Sequence, residues 1–465
     1  MLMKRSPCIF LSLALLALLA SHASAQPTLL AVGNLTGSPA GPNVDLSGLT
    51  YSLENGAPAN LLGGLGSGLT YASANKFLAL PDRGPNAINY TNGVDNTCSY
   101  INRFHTITME LTSKPDPNGL PFSVNVHLID TTLLWSATDL VYGTGDGLDV
   151  GSGVPPGNDA LHHYFTGRSD NFDPAQSSGN VADARFDTES IRVSNDNTSV
   201  FISDEYGPYI YQFDKSTGER LNSFTLPDEF YVAVCDPIGA TEISGNPSGR
   251  TANKGMEGLA ITPDGSTLVG IIQAALIQDA ASAAKLLRIV VIDLATGAVT
   301  HEYAYKLTAG TGVSEILALN NHEFLVDERD GRGREGANDL SSNDARVKQV
   351  FKIDLDGAFD VTGLDGPTAL THAVPKTLFL DIVKVLVANG FSATFDIPSK
   401  IEGLTFGKDV TRKGLTVHTL WVANDNDFVL ATNDVPPVPN PNQFFVFGFT
   451  DADLGGSEFV PQFQN

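Results

Sequence analysis

Positive charge is scarce in this chain: 28 Lys and Arg stand against 52 Asp and Glu, for a net charge of −24. Such a surface repels the phosphates of nucleic acids and anionic lipids, so neither is expected as a partner. Long apolar runs are missing after the first 25 residues. The stretch 378–391 is interrupted by Asp381 and Lys384 and is too short to span a bilayer. Sulfur is sparse as well, with three cysteines and four methionines. No histidine stands at zinc-ligand spacing from Cys98 or Cys235, which argues against a zinc site built on them. A Gly-x-Ser-x-Gly elbow, a His-Glu-x-x-His pair and a P-loop are all absent, so serine-hydrolase chemistry lacks its usual sequence support. His162-His163 falls in a loop and is expected to pack there rather than to bind metal.

What is present begins with an export signal. Lys4 and Arg5, an apolar stretch over 9–20 and Ala23-Ser24-Ala25 make a leader with an A-x-A cleavage site. Residues 1–25 are therefore expected to be removed, leaving 26–465 as a single domain, monomeric, in a secreted or periplasmic setting. Cys8 leaves with the leader. Cys98 and Cys235 remain as an even pair in an oxidising compartment, where a disulfide between them is expected and two free thiols are the alternative.

The body of the chain is written in short runs of Val, Ile, Phe, Thr and Tyr punctuated by Gly, Asn, Asp and Pro. Thr198-Ser199-Val200-Phe201-Ile202-Ser203 and Tyr209-Ile210-Tyr211-Gln212-Phe213-Asp214 are two such runs, and Pro263-Asp264-Gly265-Ser266 is a hairpin turn between two others. Helical periodicity is weak outside 274–288 and 377–389, which read as short helices or as strands. The grammar is antiparallel and all-β.

Within it one pattern recurs five times: a carboxylate or serine, a following residue that is usually small, then an aliphatic, opening a run that closes on polar residues. The openings are Ser67-Gly68-Leu69, Glu189-Ser190-Ile191, Glu257-Gly258-Leu259, Glu315-Ile316-Leu317 and Glu402-Gly403-Leu404. The matching ends are Asp82-Arg83, Asp204-Glu205, Gln273, Glu328-Arg329 and Asp425-Asn426-Asp427. A repeated β unit of this kind predicts a β-propeller of about six four-stranded blades, with five to seven allowed, carrying long rim loops at 144–182 and 330–346. The wide interval from Ser67 to Glu189 has room for two blades.

Acids at the same point of four of the five copies converge on the axis, where they repel one another unless a cation neutralises them. Glu189, Glu257, Glu315, Glu402 and Asp425 are thus candidate metal ligands, and an oxygen-only set in an exported protein favours Ca²⁺. Capping of blade ends by arginines or backbone amides is the alternative for each acid. Asp82, Arg83, Asp204, Glu205 and Arg329, at the run ends, are candidate catalytic residues: a guanidinium beside bound metal grips a phosphate or carboxylate by two hydrogen bonds. Arg83 and Arg329 serve equally well as ion-pair partners of the glutamates.

Five strings carry a family resemblance. They are Gly68-Leu69-Thr70-Tyr71 with Leu80-Pro81-Asp82-Arg83-Gly84-Pro85-Asn86, Phe201-Ile202-Ser203-Asp204-Glu205-Tyr206-Gly207-Pro208, Gly255-Met256-Glu257-Gly258-Leu259-Ala260, Ser314-Glu315-Ile316-Leu317 with Glu328-Arg329-Asp330, and Lys400-Ile401-Glu402-Gly403-Leu404 with Asn424-Asp425-Asn426-Asp427. In this order they resemble the phytase-like domain family, also called "esterase-like activity of phytase". The resemblance implies a secreted or periplasmic β-propeller with phosphoesterase function; joined to the divalent metal expected at the acid ring, it makes a phosphoric ester hydrolase acting on a small-molecule ester the expected activity. Pro81, where related sequences commonly carry serine, and the neutral Gln273 depart from the pattern. A calcium-dependent lactonase or carboxylic esterase, or a non-catalytic binding propeller, are the competing expectations.

Overall fold

Turn chemistry and burial together account for the strands. In the hairpin at 263–266 Gly265 adopts φ +73°, and the Asp264 carboxylate accepts a hydrogen bond from the Ser266 amide at 3.0 Å, which locks the reversal. The flanking strands are buried on both faces, as their unbroken apolar runs require. The computed structural model describes residues 26–85, 98–113, 119–143, 151–334, 344–431 and 437–462; the expected leader at 1–25 lies outside them.

Five four-stranded antiparallel sheets form five blades. The first comprises Gly68–Ser73, Lys76–Leu80, Arg103–Thr112 and Ser123–Leu133, and the second Thr188–Val193, Ser199–Asp204, Tyr209–Asp214 and Arg220–Thr225. The third comprises Met256–Ile261, Thr267–Ile272, Leu286–Asp293 and Val299–Lys306, and the fourth Gly312–Ala318, Glu323–Arg329, Lys348–Asp354 and Lys376–Asp381. Lys400–Arg412, Leu415–Asp425 and Asn442–Phe449 build the fifth, whose outer strand is the N-terminal Thr28–Leu35, paired antiparallel to Asn442–Phe449. That exchange ties the chain ends together and closes the ring, leaving only short outer edges. The first strand of each blade is its innermost and packs against those of the blades on either side.

One apolar cluster fills each blade-to-blade interface. Leu69, Phe77 and Ile107 meet Trp421, Phe444 and Val446 between the first and fifth blades, for example, and Leu317, Leu325 and Val350 meet Ile401, Leu404 and Leu420 between the fourth and fifth. Around the axis the backbones approach so closely that a Cβ on Gly258 would lie 2.7 Å from the Ile316 amide nitrogen, and one on Gly403 2.9 Å from that of Leu69. Glycine at these positions is a packing requirement.

The blade count of five is the lower end of the expected range. The interval from Ser67 to Glu189 holds one blade, not two; its remainder includes a two-stranded ladder, Trp135–Ser136 with His163–Tyr164, and irregular loop. His162 packs between the rings of Trp135 and Tyr164. The ambiguous segments resolve as mixtures: helix Ile277–Ala283 precedes strand Leu286–Asp293, and strand Lys376–Asp381 precedes helix Ile382–Ala388. Residues 144–150 and 335–343 of the expected rim loops lie outside the described residues.

The expected Cys98–Cys235 disulfide is absent. Both thiols are free and buried in separate apolar clusters, Cys98 with Leu53, Tyr100 and Phe428, and Cys235 with Phe172 and Val232. Pairing them would require two packed clusters to come apart.

Candidate functional site

The innermost strands of the second, third, fourth and fifth blades each break register near their start, between Thr188 and Ile191, Met256 and Gly258, Val313 and Glu315, and Ile401 and Leu404. A bulged residue is freed from the ladder and its side chain is re-aimed. Glu189, Glu257 and Glu402 occupy these bulges, and their carboxylates turn to the axis. Ser67 stands at the equivalent place of the first blade, its hydroxyl 3.3 Å from both Glu189 Oε2 and Glu402 Oε2.

Strand exits add to this ring. Carboxylate oxygens of Glu189, Glu205 and Glu257 lie within 4.8 Å of one another, as do those of Asp82, Asp187 and Glu189, and those of Asp82, Asp425 and Asp427. Glu189 and Asp82 each belong to two of these triads, so the acids form one continuous cluster where the inner strands begin. Three cations interleave it. Arg329 binds Glu402, lies 3.7 Å from Glu257 and donates from Nε to Ser314 Oγ at 2.5 Å. Arg83 holds Asp187 at 2.9 Å and also bonds Asn253. Lys400 Nζ reaches Asp425 at 2.7 Å, Asp427 at 2.5 Å and Asp82 at 3.5 Å.

Glu315 is not part of the cluster. In the fourth blade the bulged residue is Ser314, and Glu315 pairs with Asp327 one step further along the strand. Aligning Glu315 with the other glutamates is off by one residue. Its carboxylate lies deeper along the axis, against Arg192 Nη2 at 2.8 Å. Asp204 serves the backbone instead of the axis. Its Oδ1 accepts from the Asp187 amide at 2.8 Å and its Oδ2 from the Gly207 amide at 2.5 Å, which fixes the turn. Asp82, Arg83, Glu189, Glu205, Glu257, Arg329, Glu402 and Asp425 do come together. Asp187, Lys400 and Asp427 complete the cluster without having been singled out. Alternation offered a signal for two of them, since Asp187 and Lys400 stand two residues before Glu189 and Glu402 and so share their side of the strand.

Burial pushes Glu257 up to about 7, helped by the Glu402 carboxylate and opposed by Arg329. Burial and then Glu257 raise both Glu189 and Glu205 well above the usual carboxylate range. Asp82 is also buried, but Arg83 and Lys400 outweigh the desolvation and hold it below its ordinary value. Glu205 Oε1, Glu257 Oε2 and Asp187 Oδ1 are buried with no hydrogen-bond partner among the described residues. Orphaned carboxylate oxygens this close together cost free energy unless something binds them. An all-oxygen donor set with spare lone pairs fits a hard divalent cation and offers nothing to a thiophilic metal.

Comparison with known proteins places this geometry. The phytase-like family, described as esterase-like activity of phytase, matches residues 60–428. The chain belongs to that family. Its matched segment spans the inner strands of all five blades and every acid of the cluster, and the family's description points to a hydrolase-like propeller. An uncharacterized secreted protein of Arthroderma benhamiae is 30% identical over 295 residues, covering 56% of this chain and 55% of the relative, so the chain spans about half the length of that curated relative. Among solved structures, a putative 6-phosphogluconolactonase from Bacteroides uniformis is 12% identical, with 81% of this chain and 83% of that one covered and a TM-score of 0.29. A luciferin-regenerating enzyme is 10% identical, with 86% and 96% covered and a TM-score of 0.30. Likeness at that level says nothing of substrate. Among the described residues of this phytase-like propeller no helix is long and apolar enough to cross a membrane.

Proposed function

We propose that this protein is a secreted, metal-dependent hydrolase of phosphoric esters, built as a single monomeric propeller domain over 26–465 and working at the axial carboxylate cluster. The observation that carries the reading is the Glu189–Glu205–Glu257 triad, with oxygens within 4.8 Å and two of them unpartnered although buried. Membership of a family described as esterase-like activity of phytase supports hydrolysis, and the secreted relative supports export.

Glu189 and Glu257 would hold the cation beside Glu205, Ca²⁺ being the natural choice for oxygen donors outside the cell. Bound there, it supplies Lewis-acid polarisation and a water of lowered pKa. The chain's own groups supply the rest. Glu205, rather than the turn-locked Asp204, is the proposed general base, because its Oε1 has no competing donor and can take a proton from the attacking water. Arg83 keeps Nε unpartnered and presents a fixed positive charge to the phosphoryl oxygens. Lys400 holds Asp82, Asp425 and Asp427 in place, and Arg329 holds Glu402 against Glu257. Arg329 is therefore a positioning residue.

The test is a panel of phosphomonoesters, phosphodiesters, phytate and lactones, assayed with Ca²⁺ and with chelator. The expected result is Ca²⁺-dependent phosphate release that Glu257→Gln abolishes while circular dichroism stays unchanged. Lactone turnover without phosphate release would move the assignment to a calcium-dependent lactonase. Stabilisation by Ca²⁺ with no turnover of any ester would leave a binding propeller.

A further inference from the structure

Beside the acid cluster lies a second space with a different lining. A cavity of ≈ 450 Å³ opens next to the helix Gly239–Gly245, with Arg83, Arg185, Tyr206, Glu242, Arg250 and Ala252 in its wall. Arg83 belongs to both places, since it lines this cavity while Nη1 grips Asp187 of the cluster at 2.9 Å. A ligand seated here therefore lies one guanidinium away from the proposed reaction centre.

Buried arginines are normally saturated by carboxylates or carbonyls, because an unanswered guanidinium in low dielectric is costly. Two on this wall are not saturated. Arg185 is 2% exposed, yet its nearest carboxylate oxygen, Glu242 Oε1, stands at 3.7 Å, beyond hydrogen-bond reach. Among the described residues its one hydrogen bond goes to Cys235 Sγ at 3.1 Å. Sulfur is a weak acceptor, and burial pushes that thiol up, so it carries no charge to answer the arginine. The rings of Phe172 and Tyr206, 4.6 and 5.4 Å from the guanidinium carbon, hold the side chain in place without satisfying its N–H groups. Glu242 is committed to Arg250, which it binds directly. Arg83 likewise keeps Nε buried and unpartnered. Against the guanidinium groups of Arg83, Arg185 and Arg250 this wall sets two carboxylates, Glu242 and Asp236, and Asp236 accepts from the Ile238 amide at 2.8 Å.

We propose that this cavity is an anion subsite in which Arg185 holds a carboxylate or phosphate of the substrate other than the ester being cleaved, with Arg83 standing between the two places. The inference rests on the hydrolase reading and narrows it to esters bearing a second anionic group, for which a fixed guanidinium fork is suited. Neutral esters and lactones leave Arg185 unanswered.

Two substrate pairs test the proposal and separate its two ligand sources: 1,3-propanediol bisphosphate against propyl phosphate, and 4-phosphooxybutanoate against butyl phosphate. The member bearing the second anionic group is expected, in at least one pair, to show a KM lower by about tenfold, the scale of one charge-assisted contact. Arg185→Met should erase that preference and Arg185→Lys should restore part of it. If the Met variant fails to fold, Ala252→Glu, which sets a negative charge at a half-buried wall position, decides alone by collapsing the preference. Equal KM values within both wild-type pairs, or a preference that survives Ala252→Glu, overturn the subsite. If the wild type cleaves nothing, the hydrolase reading fails separately. Inorganic phosphate and succinate titrated into the intact protein then decide: a rise in thermal midpoint that Ala252→Glu weakens supports the subsite, and no rise overturns it.

Discussion

Arg192 and Glu315 meet at 2.8 Å inside the axis of the propeller, with side chains 3% and 0% exposed, and bind four of the five blades through one ion pair. Arg192 also donates to the carbonyls of Leu69, Ile191 and Ile316, while Glu315 accepts from the Ser190 hydroxyl and the amides of Leu259 and Ile316. Burial nevertheless pushes Glu315 up to about 7 and Arg192 down, so desolvation outweighs the attraction for both partners. A pair near break-even predicts a specific mutational signature. Arg192→Met alone strands a buried carboxylate and should cost about 3–5 kcal/mol, whereas Arg192→Met with Glu315→Leu should cost less than the single change. Denaturant unfolding of the three proteins checks this; a double variant less stable than the single one contradicts it.

The acid cluster predicts how stability varies with pH. Glu189 and Glu205 lie well above the usual range and Glu257 at about 7, so the native state keeps protons that the unfolded chain has already released. Stability from such groups is complete below their unfolded values and is lost as pH rises through their folded ones, here across roughly pH 4.5 to 7. His105 acts in the opposite direction: burial holds it at about 4, so its contribution fades as pH falls below roughly 6.5. In chelator the thermal midpoint should therefore fall as pH rises from 6.5 through 7 by the action of the glutamates, and excess Ca²⁺ should flatten that fall by taking the place of the protons. Glu257→Gln should flatten it as well. An unchanged slope in both experiments would count against the cluster as a cation site.

The thiols give a third expectation. Cys98, pushed up to about 12 by burial, and Cys235, also raised, are both buried and protonated. A thiol reagent should find almost nothing to react with among these two in the native protein and both of them in denaturant, and reductant should leave the thermal midpoint where it was. Loss of stability on reduction would show that a bridge forms after all.

The architecture was legible in the sequence because it rests on local rules. Turn residues at short intervals, apolar runs with β-branched residues and a repeated acid-small-aliphatic opening specify antiparallel blades, and the glycines of that opening mark the crowded axis. Blade number was less legible, since an interval of loop between Ser67 and Glu189 looks the same as a missed blade. At the site, strand position was readable but register was not. A bulge moves the axial place from Glu315 to Ser314, and one residue of slip sends a side chain to another level. The capping role of Asp204 was hidden for a related reason: whether a carboxylate faces the axis or caps its own turn depends on backbone amides supplied by Asp187 and Gly207. The cavity lined by Arg185 and Arg250 was invisible, because neither arginine stands in a repeated motif.

Lys400 offers the sharpest separation between a structural and a ligand-binding cluster. Its ammonium group is the cation shared by Asp82, Asp425 and Asp427, and despite burial those carboxylates, Asp425 foremost, hold its pKa well above the ordinary lysine value. Lys400→Met keeps the aliphatic stem and deletes the charge, leaving three acids within 4.8 Å without an internal counter-ion. If the cluster only organises blade ends, stability should drop by about 3–5 kcal/mol equally with and without divalent ions, as for any broken buried pair. If the cluster binds cations, the vacated position becomes one more place for Ca²⁺, so the variant should melt well below the wild type in chelator and recover a larger share of its midpoint when Ca²⁺ is added. The gain in midpoint from chelator to Ca²⁺, measured for both proteins side by side, is the deciding number. A larger gain in the variant supports ion binding at these carboxylates, and an equal or smaller one assigns them to structure alone.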